Sequence, residues 1–221
     1  MVIPDQSQVF DQVAPGWHGF RYHTIFEAEL KKLAERWKNG KLLNIGCGHG
    51  ADFLPFKDSF ELFGIDFSSE MLKLAEKYAV KNRFKAVLKS ADMRKLPFDD
   101  GYFDYAIAVA SLHHLPGHTA QLQALSELAR VLKPGGEAFL TVWNRTQRRF
   151  WGMPKEILLP WRGKDGSVER YYYLFTYGEI EKLAKRAGFV IEKSFPEIKF
   201  RFPIKLFSRN ICLHVAKPSN C

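Results

Sequence analysis

Between residues 41 and 66 the chain passes from a short apolar run, through a turn with glycine at every second position, into a second apolar run that ends on a carboxylate. Lys41-Leu42-Leu43-Asn44-Ile45 reads as a buried strand, Gly46-Cys47-Gly48-His49-Gly50 as the turn, and Leu62-Phe63-Gly64-Ile65 as the next strand, closing at Asp66. Glycine lets the backbone take positive φ and lets a ligand approach where a Cβ would otherwise stand. An acid twenty positions past Gly46 sits where it can accept hydrogen bonds from the two hydroxyls of a ribose. The chain is thereby held to an open parallel sheet, with a nucleoside-bearing cofactor across the ends of its first two strands.

The glycine turn alone leaves the nucleoside open. Its G-x-G-x-G spacing suits S-adenosylmethionine (SAM), while Gly46, Gly48 and Ala51 also fit a dinucleotide pattern loosely. Segments further along the chain narrow the choice. A third apolar run, Phe84 to Leu88, leads to Ser90-Ala91-Asp92-Met93, which puts a carboxylate where an adenine amino group can donate to it. Leu96 to Asp104 then enters a fourth buried run, Tyr105 to Ala110, continuing into Ser111-Leu112-His113-His114-Leu115, a helix, and Arg130-Val131-Leu132-Lys133-Pro134-Gly135-Gly136. Over roughly residues 40 to 143 this ordered set resembles the class I SAM-dependent methyltransferases. The resemblance implies an α/β fold with a doubly wound, seven-stranded, mainly parallel sheet of order 3-2-1-4-5-7-6, the last strand antiparallel. It also implies SAM as cofactor, held by Gly46, Cys47, Gly48, Asp66, Phe67, Asp92, Met93 and Ala110.

At 221 residues the chain suits one α/β domain spanning 1–221, with an N-terminal cap over 1–38 and a basic substrate-side insertion over 144–175. Residues 20 to 38 read as a helix with Phe26, Leu30, Leu33, Ala34 and Trp37 on one stripe. Ser68 suits the N-cap of a helix through Met71, Leu72, Leu74 and Ala75, and residues 119 to 131 repeat the pattern. Gly136 to Trp143 reads as the fifth strand. Thr176 and Glu179 have capping-box spacing for a helix that stops at Gly188. Val190 to Phe195 and Asn210 to Ala216 complete the strands.

Charge is uneven. Residues 1 to 143 hold 17 Lys and Arg against 17 Asp and Glu, whereas residues 144 to 221 hold 16 against 7, so the whole excess of +9 lies in the last third. Such an excess serves solubility, or it draws a polyanion such as RNA to that side. There is no run of about 18 apolar residues, and Met1-Val2-Ile3-Pro4-Asp5 lacks the pattern of a signal peptide. Cys47, Cys212 and Cys221 suggest neither a disulfide framework nor a metal site, so a reduced, cytoplasmic compartment with no membrane association is expected.

A second, narrower resemblance covers most of the chain. Val9-Phe10-Asp11-Gln12-Val13-Ala14-Pro15-Gly16-Trp17 with Arg21 is similar to the opening of the tRNA wobble-uridine 5-carboxymethyl methyltransferases. Val142-Trp143-Asn144-Arg145-Thr146-Gln147, Leu159-Pro160-Trp161, Tyr171-Tyr172-Tyr173-Leu174-Phe175, Gly178-Glu179 and Asn210 match further segments of that family in order. Asn44 and Tyr173 depart from it, standing where the family has Asp and His. The resemblance implies methyl esterification of 5-carboxymethyluridine in tRNA, and a small zinc-binding activator subunit docking beside residues 84 to 89. Arg21 and Arg145 are candidate catalytic cations for the acceptor carboxylate, with His113 a third catalytic candidate. Trp17, Trp143, Trp161 and Tyr171 are candidates to stack the extruded base, or else they are core. Since the cofactor core alone is common to many methyltransferases, a metabolite or quinone precursor is the alternative acceptor.

Overall fold

The computed structural model describes residues 2–20, 22–163, 166–197 and 204–219. Its centre is a seven-stranded sheet of β1 (Gly40–Ile45), β2 (Phe60–Asp66), β3 (Ala86–Ser90), β4 (Phe103–Val109), β5 (Leu132–Trp143), β8 (Val190–Pro196) and β9 (Asn210–Ala216). Their order is β3-β2-β1-β4-β5-β9-β8, with β9 antiparallel to both of its neighbours. The expected 3-2-1-4-5-7-6 is recovered once the separate hairpin of β6 (Glu156–Gly163) and β7 (Gly166–Tyr173) is set aside.

Side chains alternate across a strand, so each strand feeds two cores. Leu43, Ile45, Phe63, Ile65, Ala106, Leu140 and Val142 face one side, where α4 (Gly117–Val131) and α5 (Tyr177–Arg186) cover them. Leu42, Leu62, Ile107 and Phe139 face the other, under α2 (Glu27–Trp37) and α3 (Ser69–Lys81). α3 and α5 start where side chains satisfy their first N–H groups. Ser68 Oγ accepts from the Met71 N–H at 3.1 Å. Thr176 and Glu179 form the complete capping box that opens α5. Such a cap is worth about 1 kcal/mol.

Three local expectations change. The helix expected over 20–38 is shorter, α2 (Glu27–Trp37), preceded by a turn in which Thr24 Oγ1 takes the Phe26 N–H at 3.2 Å, and a separate, unexpected helix, α1 (Gln6–Phe20), comes before it. α1 continues through Pro15, which has no N–H to give its turn. β5 begins at Leu132, four residues before the expected Gly136, with a break in its register against β4 between Phe103 and Tyr105. The expected basic insertion contains the β6–β7 hairpin, with Leu159 opposite Arg170 and Trp161 opposite Val168.

Candidate active site

The carboxyl ends of β1, β2, β4 and β5 open into a cavity of about 380 Å³. One wall is the glycine turn. Gly46 and Gly48 have φ of +67° and +53°, and a Cβ at Gly46 would lie 2.5 Å from that of Ser111. A side chain at Gly46 is therefore excluded twice, by the backbone and by Ser111. At Gly48 the nearest atom to such a Cβ is Trp17 Nε1 at 4.0 Å, so the backbone there lies open to the cavity.

Asp66 ends β2 almost fully buried. Its Oδ2 accepts the Gly48 N–H at 2.8 Å and its Oδ1 the Ser68 N–H at 2.9 Å. Burial lifts its pKa from 3.8 to about 6, and these two N–H donors hold it from going higher. Cys47, Phe67, Met93 and Ala110 also reach the wall. Ala110 takes φ of +54°, a left-handed conformation that costs an L residue about 1 kcal/mol, and its N–H donates to Thr141 Oγ1 at 2.9 Å. Asp92 is not on the wall. Its carboxylate is bound by Arg94, Nε to Oδ1 at 3.0 Å, and its neighbour Met93 reaches the cavity instead.

The opposite wall is aromatic and cationic. Trp143, at the end of β5, stacks on Tyr172 of β7 with ring centroids 4.0 Å apart and planes at 5°. The Arg149 guanidinium lies 4.6 Å from the Trp143 ring, and Arg170 lies 5.4 Å from Tyr172 and 5.0 Å from Trp161. Trp161 in turn meets Trp17 of α1 at 5.7 Å. The candidates Trp17, Trp143 and Trp161 are thus brought to one cavity. Tyr171 is not: it has no exposed surface and belongs to the sheet core, because the alternation of β7 sends Arg170 and Tyr172 to the cavity and Tyr171 and Tyr173 away from it. Three tyrosines in succession give no hint of which one faces in, but Arg170-x-Tyr172 in a strand would have pointed to it.

His113 and His114 both touch the cavity. The Trp143 N–H donates to His113 Nδ1 at 3.2 Å, which places the proton of the neutral ring on Nε2. His114 donates from Nδ1 to the Tyr171 carbonyl at 2.8 Å.

Three guanidinium groups stand on the wall, from Arg149, Arg170 and Arg209. Among the described residues none forms an ion pair, and Arg170 Nε is buried without a hydrogen-bond partner. Burial lowers the pKa of Arg149 and Arg170, helped at Arg149 by the charge of Arg209. Cations desolvated without a counter-ion form a preformed anion site. Arg145 is not part of this wall. Its backbone N–H bonds to the Phe175 carbonyl at 2.8 Å. Arg21 lies outside the described residues. Sequence reasoning passed over Arg149 and Arg209 because both sit in irregular segments, where no periodicity assigns a face.

The donors and acceptors fit a SAM molecule. Asp66 presents a carboxylate at sugar height, Gly48 an open backbone, and Ser111 Oγ a buried hydroxyl with no partner among the described residues. Residues 43–140 match the family model of the methyltransferase domain. The chain is 27% identical to a tRNA (carboxymethyluridine(34)-5-O)-methyltransferase of Schizosaccharomyces pombe, over 82% of this chain and 86% of that one. It is 33% identical to the Arabidopsis thaliana protein of the same name over 63% of its own length, and spans 33% of that longer relative. A demethylmenaquinone methyltransferase of Protochlamydia amoebophila is 32% identical over 77% of this chain and 78% of its own. Among solved structures, a SAM-dependent methyltransferase from Methanosarcina mazei superposes with a TM-score of 0.66 at 25% identity, covering 81% of this chain and 93% of that one.

Proposed function

Because the chain belongs to the class I SAM-dependent methyltransferases, we propose that it methylates the carboxylate of 5-carboxymethyluridine at the wobble position of tRNA. The observation that carries this reading is the set of three arginines, none in an ion pair among the described residues, facing an aromatic stack across from the glycine turn. A base stacked among Trp143, Tyr172 and Trp161 would carry its 5-substituent toward a guanidinium, which bonds carboxylates directionally. The likeness to the Schizosaccharomyces pombe and Arabidopsis thaliana proteins supports the same acceptor.

When bound, SAM supplies a methyl group on a sulfonium, open to in-line displacement by a nucleophile. Asp66 would accept from the ribose hydroxyls, with Gly46, Cys47, Gly48, Phe67, Met93 and Ala110 closing around the rest. A carboxylate is already ionised at neutral pH and needs no base to activate it. His113 has Nδ1 taken by the Trp143 N–H, so that atom would not serve as a base, and an acceptor that arrives charged needs none. The work left to the chain is to orient the two reactants and exclude water, and Arg170 or Arg149 would hold one carboxylate oxygen while leaving the other free.

We further propose that an activator subunit pairs with β3. It is one of the two edge strands of the sheet, with Val87 half-exposed, and such an edge is a template for a partner strand.

The test is methyl transfer from labelled SAM to bulk tRNA lacking the ester, with the products read by nucleoside mass spectrometry. Conversion of 5-carboxymethyluridine to its methyl ester is the expected result. The 32% identity to a demethylmenaquinone methyltransferase favours a second reading, a quinone precursor as acceptor. Turnover of such a precursor without RNA, and none on tRNA, would establish it instead.

A further inference from the structure

Two loops lie side by side at the mouth of the cavity, residues 144–155 after β5 and residues 204–209 before β9. Buried amides join them. Asn144 Nδ2 donates to the carbonyls of Lys205 at 2.9 Å and Ser208 at 3.0 Å, and Gln147 Nε2 donates to that of Arg209 at 2.8 Å. Their inner sides put Arg149 and Arg209 on the cavity wall. Their outer sides expose apolar surface: Trp151 is 63% exposed, Leu206 57% and Ile204 50%. Trp151 is nonetheless fixed, since its Nε1 donates to the Thr146 carbonyl at 3.0 Å and its ring meets Phe207 at 6.3 Å. Arg148 lies 5.4 Å from the Phe207 ring. The two segments hold six Lys or Arg and no Asp or Glu, and among the described residues only Lys155 is ion-paired.

A large indole held in water beside a stacked guanidinium, in two segments that carry no acid of their own, is costly for a surface with no partner. Aromatic faces interleaved with cations are what single-stranded nucleic acid recognises, the bases stacking and the phosphates pairing. Charge complementarity and continuity with Arg149 and Arg209 tell against an apolar protein partner.

We propose that Trp151, Phe207 and Arg148 form a platform for the nucleotides flanking the methylated residue, so that the target enters the cavity while its neighbours stack on Trp151. This rests on the reading that RNA is the substrate. Arg148 and Lys205 would contact phosphates along the same path.

The test compares wild type with Trp151→Ala, Trp151→Tyr and Arg148→Gln, on tRNA and on free 5-carboxymethyluridine, with SAM affinity measured for each. Trp151→Ala is expected to raise KM for tRNA about ten-fold, the scale of one lost base stack, with little change for the nucleoside or for SAM. Trp151→Tyr should restore most of the loss, which a general structural defect would not do. Arg148→Gln should flatten the salt dependence of tRNA binding. Methylation of tRNA with an unchanged KM in Trp151→Ala would overturn the platform alone. Loss of self-association by that variant, at unchanged KM, would overturn it in favour of a protein interface. If wild type methylates no RNA, the substrate reading fails before the platform is at issue.

Discussion

Asp66 is held by two backbone N–H groups and little water, so its ionisation is coupled to what else fills the cavity. Its pKa in the folded chain, about 6, lies above the ordinary 3.8. Its contribution to stability is therefore fully present below about pH 3.8 and is lost as pH rises through about 6. At neutral pH the ionised group costs the unliganded fold on the order of 3 kcal/mol. In the proposed binding mode, ribose hydroxyls donating to the carboxylate would reverse the balance. SAM affinity measured by calorimetry should thus weaken as pH falls below about 6, by up to about ten-fold per unit. Asp66→Asn should bind SAM poorly, lose that inflection, and melt no lower than wild type at pH 7. Arg170 makes the complementary case. A buried guanidinium with no ion-pair partner among the described residues carries a desolvation cost set against its contacts with the Trp161 and Tyr172 rings, so Arg170→Gln should leave the melting temperature unchanged or raised. The same substitution should lower kcat/KM for the acceptor by about 100-fold, with SAM affinity intact.

At the scale of elements, the two loops at the cavity mouth are joined by two buried amides, of which Asn144 makes the more bonds. Asn144 has no exposed surface, and its side chain bonds to Lys205, Ser208 and Thr146. Asn144→Ala leaves those carbonyls unpaired and should cost about 2 kcal/mol, lowering the melting temperature by about 4–8 °C. The sheet, α3, α4 and α5 were legible because local signals agreed with the tertiary outcome: apolar runs of strand length, Ser68 and Thr176 at helix starts, a glycine at 188. Where a residue's usual meaning was overridden, reading failed. No helix is expected over Ala14-Pro15-Gly16, yet α1 passes through it because Val13 and Ala14 bury against α3. Pro160 hid β6 in the same way. A proline is tolerated there because β6 has only one neighbour, β7. The glycine turn and Asp66 could be read directly, being set by sequence spacing. The arginine cluster could not, since Arg149, Arg170 and Arg209 meet only after the hairpin folds against β5 and the approach to β9.

For the whole molecule, neutral and basic parts of the chain become two sides of one cleft. The balanced first 143 residues build the wall that suits the cofactor, and the basic remainder builds the wall that suits an anion. Binding to tRNA should therefore fall steeply with salt, as condensed counterions are released, while SAM binding stays nearly flat. Titrations of both ligands between about 50 and 200 mM salt, a range over which phosphate-contacting proteins respond strongly, check this together. A metabolite acceptor would leave both curves flat.

α1 touches both walls. Asp11 Oδ1 receives Ser68 Oγ at 2.6 Å and the Glu70 N–H at 3.1 Å, beside Asp66, while Gln6 Oε1 takes the Tyr171 N–H of the hairpin at 2.9 Å. A lintel fastened at both jambs does not swing from one of them. On the proposed reading, donor exchange and release of the methylated acceptor would share a single gate, and freeing either latch should speed both departures together.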